Sequence, residues 1–134
     1  MILYLNYFVF VTFLGMGVIH FYWAFGGEFL LDAAIPTKEG KKLFNPGKLL
    51  TILVALILLG FAFVTLSIDS SEGVYSSLGW AIATLFTLRA IGDFNMVGFF
   101  KKIKQTKFAL YDTKYFSPLC LVLGISLSIL LLNT

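Results

Sequence analysis

The chain has 134 residues, 59% hydrophobic and 13% charged, with a formal net charge of +3 and a mean hydropathy of +0.93. Soluble domains carry about 25% charged residues, and a water-soluble protein this short could not hide so much apolar surface. The composition excludes a soluble domain and points to a bilayer, which removes the need for hiding.

Four segments approach the roughly 20 apolar residues that a spanning helix needs. They run from about Ile2 to Ala24, Leu49 to Ser67, Ser77 to Phe100 and Tyr115 to Leu132. None carries the charged face of an amphipathic soluble helix. The short alternating segments of a transmembrane barrel are absent too. The fold class read from this pattern is all-α, an integral membrane four-helix bundle, with one domain over residues 1–134 and helices near 2–24, 49–67, 77–100 and 115–132.

No Asp, Glu, Lys or Arg precedes Glu28, and the first apolar stretch is too long for the core of a signal peptide. It reads as an uncleaved first span. Asn45-Pro46-Gly47 supplies a cap and a proline for the start of the second helix, and Ser117-Pro118 can do the same for the fourth. Tyr111 to Ser117 is then either helical already or interfacial.

Lysines give the orientation. Lys38, Lys41, Lys42 and Lys48 lie between the first two spans, and Lys101, Lys102, Lys104, Lys107 and Lys114 between the last two. The short middle connection has Asp69 and Glu72 and no Lys or Arg. The positive-inside rule makes both lysine-bearing loops cytoplasmic and leaves both termini outside. The same lysines can touch anionic lipid head groups. Being split between two loops beside the membrane, they do not form a nucleic-acid footprint.

Small residues mark packing faces. Asn6, Phe13, Gly17, His20, Ala24 and Gly27 fall near one face of the first helix, and Cys120, Gly124 and Ser128 form a stripe on the fourth. Such stripes permit close helix approach within the bundle, or between copies in an oligomer.

Arg89 and Asp93 are the exception to an apolar third segment. Each charge costs about 2.5–3.5 kcal/mol at the centre of a span. Their four-residue spacing puts both on one helix face, within reach of each other. Either they neutralise each other and lock the register of the bundle, or they serve a site. His20, Tyr22 and Trp23 end the first helix, Arg89, Asp93 and Asn95 lie in the third, and Asp112 precedes the fourth. Three separated segments thus bring polar groups to one depth, which makes these seven residues the ligand-binding candidates. His20 and the charged pair are expected to line one cavity.

Each candidate also has a plain structural reading. His20 is then a hydrogen-bonded interior histidine, Tyr22 and Trp23 are interfacial anchors, and Asp112 caps a helix or pairs with a lysine. One His and one Cys do not make an ordinary zinc site, so no metal is expected. A lone Cys excludes an internal disulfide. Phosphate-loop, dinucleotide and serine-hydrolase motifs are missing, and His20 alone offers little support for haem. No cofactor is expected.

Three blocks carry a resemblance: His20-Phe21-Tyr22-Trp23-Ala24 with Gly26-Gly27; Arg89-Ala90-Ile91-Gly92-Asp93-Phe94 continuing to Val97-Gly98-Phe99-Phe100-Lys101; and Phe108-Ala109, Asp112-Thr113 and Ser117-Pro118-Leu119-Cys120. Together they resemble a family of small bacterial integral membrane proteins known as domain of unknown function 3995. The resemblance spans nearly the whole chain. It implies a bacterial origin, hence the inner membrane, and a four-helix architecture, and it brings no activity.

Three functions remain. The first is binding of a small molecule, lipophilic ones included, in a cytoplasm-facing polar pocket. The second is a membrane enzyme in which His20 or Asp93 moves protons while Arg89 holds an anionic group. The third is a small transporter or accessory subunit with a purely structural charged pair. No helix has the mid-span Gly/Pro interruption of many transporter sites, which disfavours transport. Ligand binding ranks first.

Overall fold

Long runs of Leu, Ile, Val, Phe and Ala bring few polar side chains to compete for backbone groups, so each run satisfies its own N–H and C=O groups as a helix. The computed structural model describes residues 1–43, 45–69 and 73–134 and contains four helical units long and apolar enough to cross a membrane. Helix α1 covers Ile2–Ala24. A one-turn helix α2 (Leu31–Ala34) and an antiparallel hairpin of β1 (Thr37–Lys38) and β2 (Lys41–Lys42) follow. Helix α3 covers Lys48–Ser67 and α4 covers Gly73–Ile91. The fourth unit is composite: α5 (Lys107–Tyr111) passes through a π-helical turn (Asp112–Phe116) into α6 (Ser117–Leu132). Glu72, in the middle connection, lies outside the described residues.

The third helix differs from the sequence expectation. It starts at Gly73 rather than Ser77 and stops at Ile91 rather than continuing to Phe100. The cause is local. Gly92 takes φ +87°, a left-handed conformation open to glycine at little cost, while its N–H still reaches the Leu88 carbonyl at 2.7 Å. Gly98, at φ +89°, folds back against it, so closely that a Cβ at Gly98 would lie 2.5 Å from the Gly92 Cα. The Phe99 N–H then donates to the Ala90 carbonyl at 2.8 Å, which fastens the loop to the helix end.

The last unit begins earlier than the apolar run suggests. Thr106 caps it, its Oγ1 accepting from the Ala109 N–H at 3.0 Å. Pro118 has no N–H for the Lys114 carbonyl, and its ring clashes with an ordinary α-turn at that point. The ladder widens there, with the Ser117 N–H reaching back to the Asp112 carbonyl. At the start of α3 the cap position belongs to Gly47, without a side-chain bond, rather than to Asn45.

The helices pack as two tight pairs, α1 with α3 and α4 with α6. Small residues set both seams. Gly17 faces Leu59 and the Ala55 carbonyl, and Gly124 faces Thr87 and Ala83. At the far end of the first pair, buried Asn6 donates from Nδ2 to the Thr65 carbonyl at 3.1 Å. Between the pairs, contact is sparser and centres on three rings. Phe13 meets Phe61 at 5.7 Å and Phe86 at 5.2 Å, all edge-on. On the loop side of this cluster the pairs leave a cavity.

Gly98→Ala should destabilise the fold by more than the about 1–2 kcal/mol of a left-handed residue, because the Cβ also meets backbone. Gly15→Ala, on the open face of α1, should be neutral or stabilising by up to about 1 kcal/mol. Thermal melting in detergent compares the two. Equal melting temperatures would mean that the Gly92–Gly98 crossing is not formed.

Candidate functional site

The π-turn aims Asp112 inward, where it is fully buried. A buried carboxylate needs charge and hydrogen-bond partners, and three converge on it. Its Oδ1 accepts from Arg89 Nη2 at 2.8 Å. Its Oδ2 accepts from the Gly98 N–H at 2.8 Å and lies 3.2 Å from Lys101 Nζ. Lys101 is only 2% exposed, and it also donates to the Gly98 carbonyl at 2.9 Å and to Thr113 Oγ1. Two cations from two segments therefore share one anion. The cluster ties the end of α4 and the following loop to the start of the last helix.

The pairing of Arg89 with Asp93 inferred from their spacing does not form. The four-residue rule requires a continuous helix, and the turn at Gly92 ends the helix between them. Asp93 is exposed. Its Oδ1 accepts from the N–H groups of Asn95, Met96 and Val97 at 2.9, 2.8 and 3.0 Å. Those bonds hold its carboxyl below the usual carboxylate range, the Asn95 N–H contributing most. Asp93 is thus a loop cap. Asn95 is exposed as well, and its carbonyl accepts from the Lys102 and Ile103 N–H groups, each at 2.9 Å.

The cavity between the helix pairs has a volume of about 480 Å³. Helix α1 contributes Met16, Ile19, His20 and Trp23, and α3 contributes Val54 and Leu58. From the other pair come Leu85, Phe86 and Arg89 of α4 and Leu119 and Cys120 of α6, with Phe108 and Phe116 just before it. The wall is apolar except near Arg89, His20, Trp23 and Cys120. Of the sequence candidates, this cavity gathers His20, Trp23 and Arg89. Asp93, Asn95 and Tyr22 do not line it, and Asp112 stands behind Arg89 as its anchor.

Each lining polar group has a defined state. His20 Nδ1 lies 2.7 Å from the Met16 carbonyl, which only accepts, so Nδ1 carries a proton and Nε2 remains without a partner among the described residues. The ring packs edge-on against Trp23 at 5.0 Å. Trp23 donates its indole N–H to the Phe29 carbonyl at 2.8 Å, while Tyr22 accepts from the Phe29 N–H through its hydroxyl at 3.3 Å. The two aromatic residues fold the loop back over the end of α1. A second cavity, of about 200 Å³, shares His20 and Trp23 with the first and extends toward Pro46 and Thr51.

Arg89 is the least satisfied. A guanidinium has five N–H donors. Among the described residues Arg89 makes one hydrogen bond, to Asp112, and its Nη1 is buried without a partner. Its side chain is 31% exposed. Sequence reasoning missed Lys101, because a lysine in a basic loop reads as a solvated topology marker. It missed the lining role of Cys120, Phe108 and Phe116, whose types carry no signal outside the fold. Among the described residues no group of three or more His, Cys, Asp and Glu gathers to hold a metal.

Asp112→Ala strands a buried lysine beside an arginine and should cost about 3–5 kcal/mol. Asp93→Ala should cost about 0.5–2 kcal/mol, as loss of a cap does. The Asp93 contribution is present above the unfolded carboxyl pKa and is lost as pH falls through its depressed folded value, so it should be constant from pH 7 to about pH 5. Melting of both variants against pH checks this. A larger loss from Asp93→Ala than from Asp112→Ala would restore the pairing inferred from the spacing.

No curated protein and no solved structure matches the chain. A family model does, over residues 13–127, which takes in the cavity wall on both helix pairs and the whole cation cluster. The chain belongs to the DUF3995 family, described as proteins of unknown function.

Proposed function

We propose that the chain is a multi-pass membrane protein that binds a small molecule in the cavity between its two helix pairs. The observation that supports this reading most is Arg89. Arg89 lines an apolar cavity with a side chain that is 31% exposed and, among the described residues, makes a single hydrogen bond, and an occupant that accepts from its exposed donors supplies the missing partner. The His20 ring supports the same reading by offering a second polar contact at the cavity wall.

The reading extends to placement. The hairpin lysines and those of the loop after α4 all sit at the helix ends where the cavity lies, which makes that end cytoplasmic and both termini external. A bacterial inner membrane suits this arrangement. The cluster at Asp112 accounts for the charges structurally, as the accessory-subunit alternative would have it. That alternative leaves the placing of Arg89 on the cavity wall unexplained.

Ala34 lies on the wall of both cavities from a loop helix, so Ala34→Phe fills the space with little disturbance to the long helices. Unbiased mass spectrometry of small molecules carried through purification should find a compound with the wild-type protein that is lost from Ala34→Phe. A compound retained equally by both would contradict binding in this cavity. Alkaline phosphatase fused after Thr134 should be active and a cytoplasmic fluorescent fusion dark. The reverse would overturn the orientation.

A further inference from the structure

Resting on the cavity as a binding site, we infer that its occupant is a single-chain amphiphile with an oxyanion head, a carboxylate or a phosphate, seated on Arg89. The charge count comes first. Arg89 and Lys101 bring two positive charges to the one negative charge of Asp112. All three partners of that carboxylate lie on its own two oxygens, so the cluster keeps a surplus positive charge beside an apolar wall. In such surroundings an unbalanced charge is costly. A further anion removes that cost, and a neutral or cationic occupant does not.

The donors agree with the charge. Lys101 spends its ammonium on Asp112, Gly98 and Thr113, all away from the cavity lining. Arg89 commits a single N–H to Asp112, which holds the guanidinium plane in place while the 31% of the side chain that is exposed makes no other hydrogen bond among the described residues. A planar fork fixed at one corner suits an oxyanion, which accepts from it at more than one oxygen. His20 Nε2, not engaged by the Met16 carbonyl, adds a second polar contact for the head group.

The remainder of the wall selects the tail. Met16, Ile19, Leu58, Leu85 and Phe86 offer a chain no polar contact, and Leu85 is half exposed on the outside of the bundle. Helices α1 and α4 meet only sparsely, so the cavity is approached between them from the apolar flank. Arg89 sits in the last turn of α4, at the lysine-rich end of the bundle. An amphiphile already aligned in the membrane has its head group at this depth and its chain pointing inward.

The test uses full-length protein carrying Trp80→Phe, so that Trp23, on the cavity wall, is the remaining tryptophan. In neutral-lipid nanodiscs, bromine-terminated dodecanoate and the matching dodecyl phosphate are titrated as quenchers, beside the bromine-terminated alcohol. At least one of the two anions should quench saturably and be displaced by its unbrominated form, and the one that binds names the head group. The alcohol should quench only by unsaturable partitioning. Arg89→Gln should weaken anion binding roughly tenfold to a hundredfold, since Asp112 keeps Lys101 and Gly98 and the fold survives. Saturable alcohol binding equal to the anions, or anion binding unchanged in Arg89→Gln, would overturn the inference. The wild-type comparison decides it even if the variant fails to fold. A neutral compound that co-purifies, is lost from Ala34→Phe and is kept by Arg89→Gln would sink the oxyanion class while leaving the binding cavity standing.

Discussion

A carboxylate with no access to water organises the loop end of this bundle. Asp112 draws the end of α4 through Arg89, and the turn of residues 92–98 through Gly98, onto one point of the last helix; Lys101 completes the set. None of these groups tolerates burial alone. The π-turn that aims Asp112 inward follows in turn from Pro118, which denies the helix its ordinary bond. One backbone irregularity therefore sets the place of one carboxylate, and the carboxylate sets the place of the arginine.

The cavity is a consequence of the same arrangement. Within each helix pair, glycines bring backbones together, and between the pairs the three phenylalanine rings hold the middle. Toward the loops the rings of Trp23, Phe108 and Phe116 stay at the wall, and among the described residues none of them pairs across from one helix pair to the other. The guanidinium, tethered to Asp112 at one corner, joins that wall and leaves unfilled space beside it. A cation held at an apolar wall by its own counterion is pre-organised, so the proposed ligand would need little further ordering of it.

Much of the fold was legible in the sequence because apolar length is a strong signal. The four runs correspond to four long helical units, and the stripe around Gly17 and Gly124 does form the helix seams. The site was legible only in part. His20, Trp23 and Arg89 reach one cavity because they sit on helices whose depth can be counted. The partner of Arg89 was not, since spacing within a helix assumes that the helix continues. The glycine of Arg89-Ala90-Ile91-Gly92-Asp93 ends it, and reading that glycine as a C-cap was the available clue. Asp112 and Lys101 lie 23 and 12 residues from Arg89 along the chain. No periodicity reaches across an irregular loop, so a pairing of that kind is a property of the fold alone.

The most direct measurement is a pair of double-mutant cycles read by thermal melting of purified protein, one over Arg89 and Asp112 and one over Arg89 and Asp93. Groups in one charged network couple by about 0.5–3 kcal/mol, and independent groups add. The account predicts clear coupling between Arg89 and Asp112 and none between Arg89 and Asp93. Additive losses in the first cycle, or coupling in the second, would contradict it, because Arg89 would then not be held at the cavity wall by the carboxylate of the last helix.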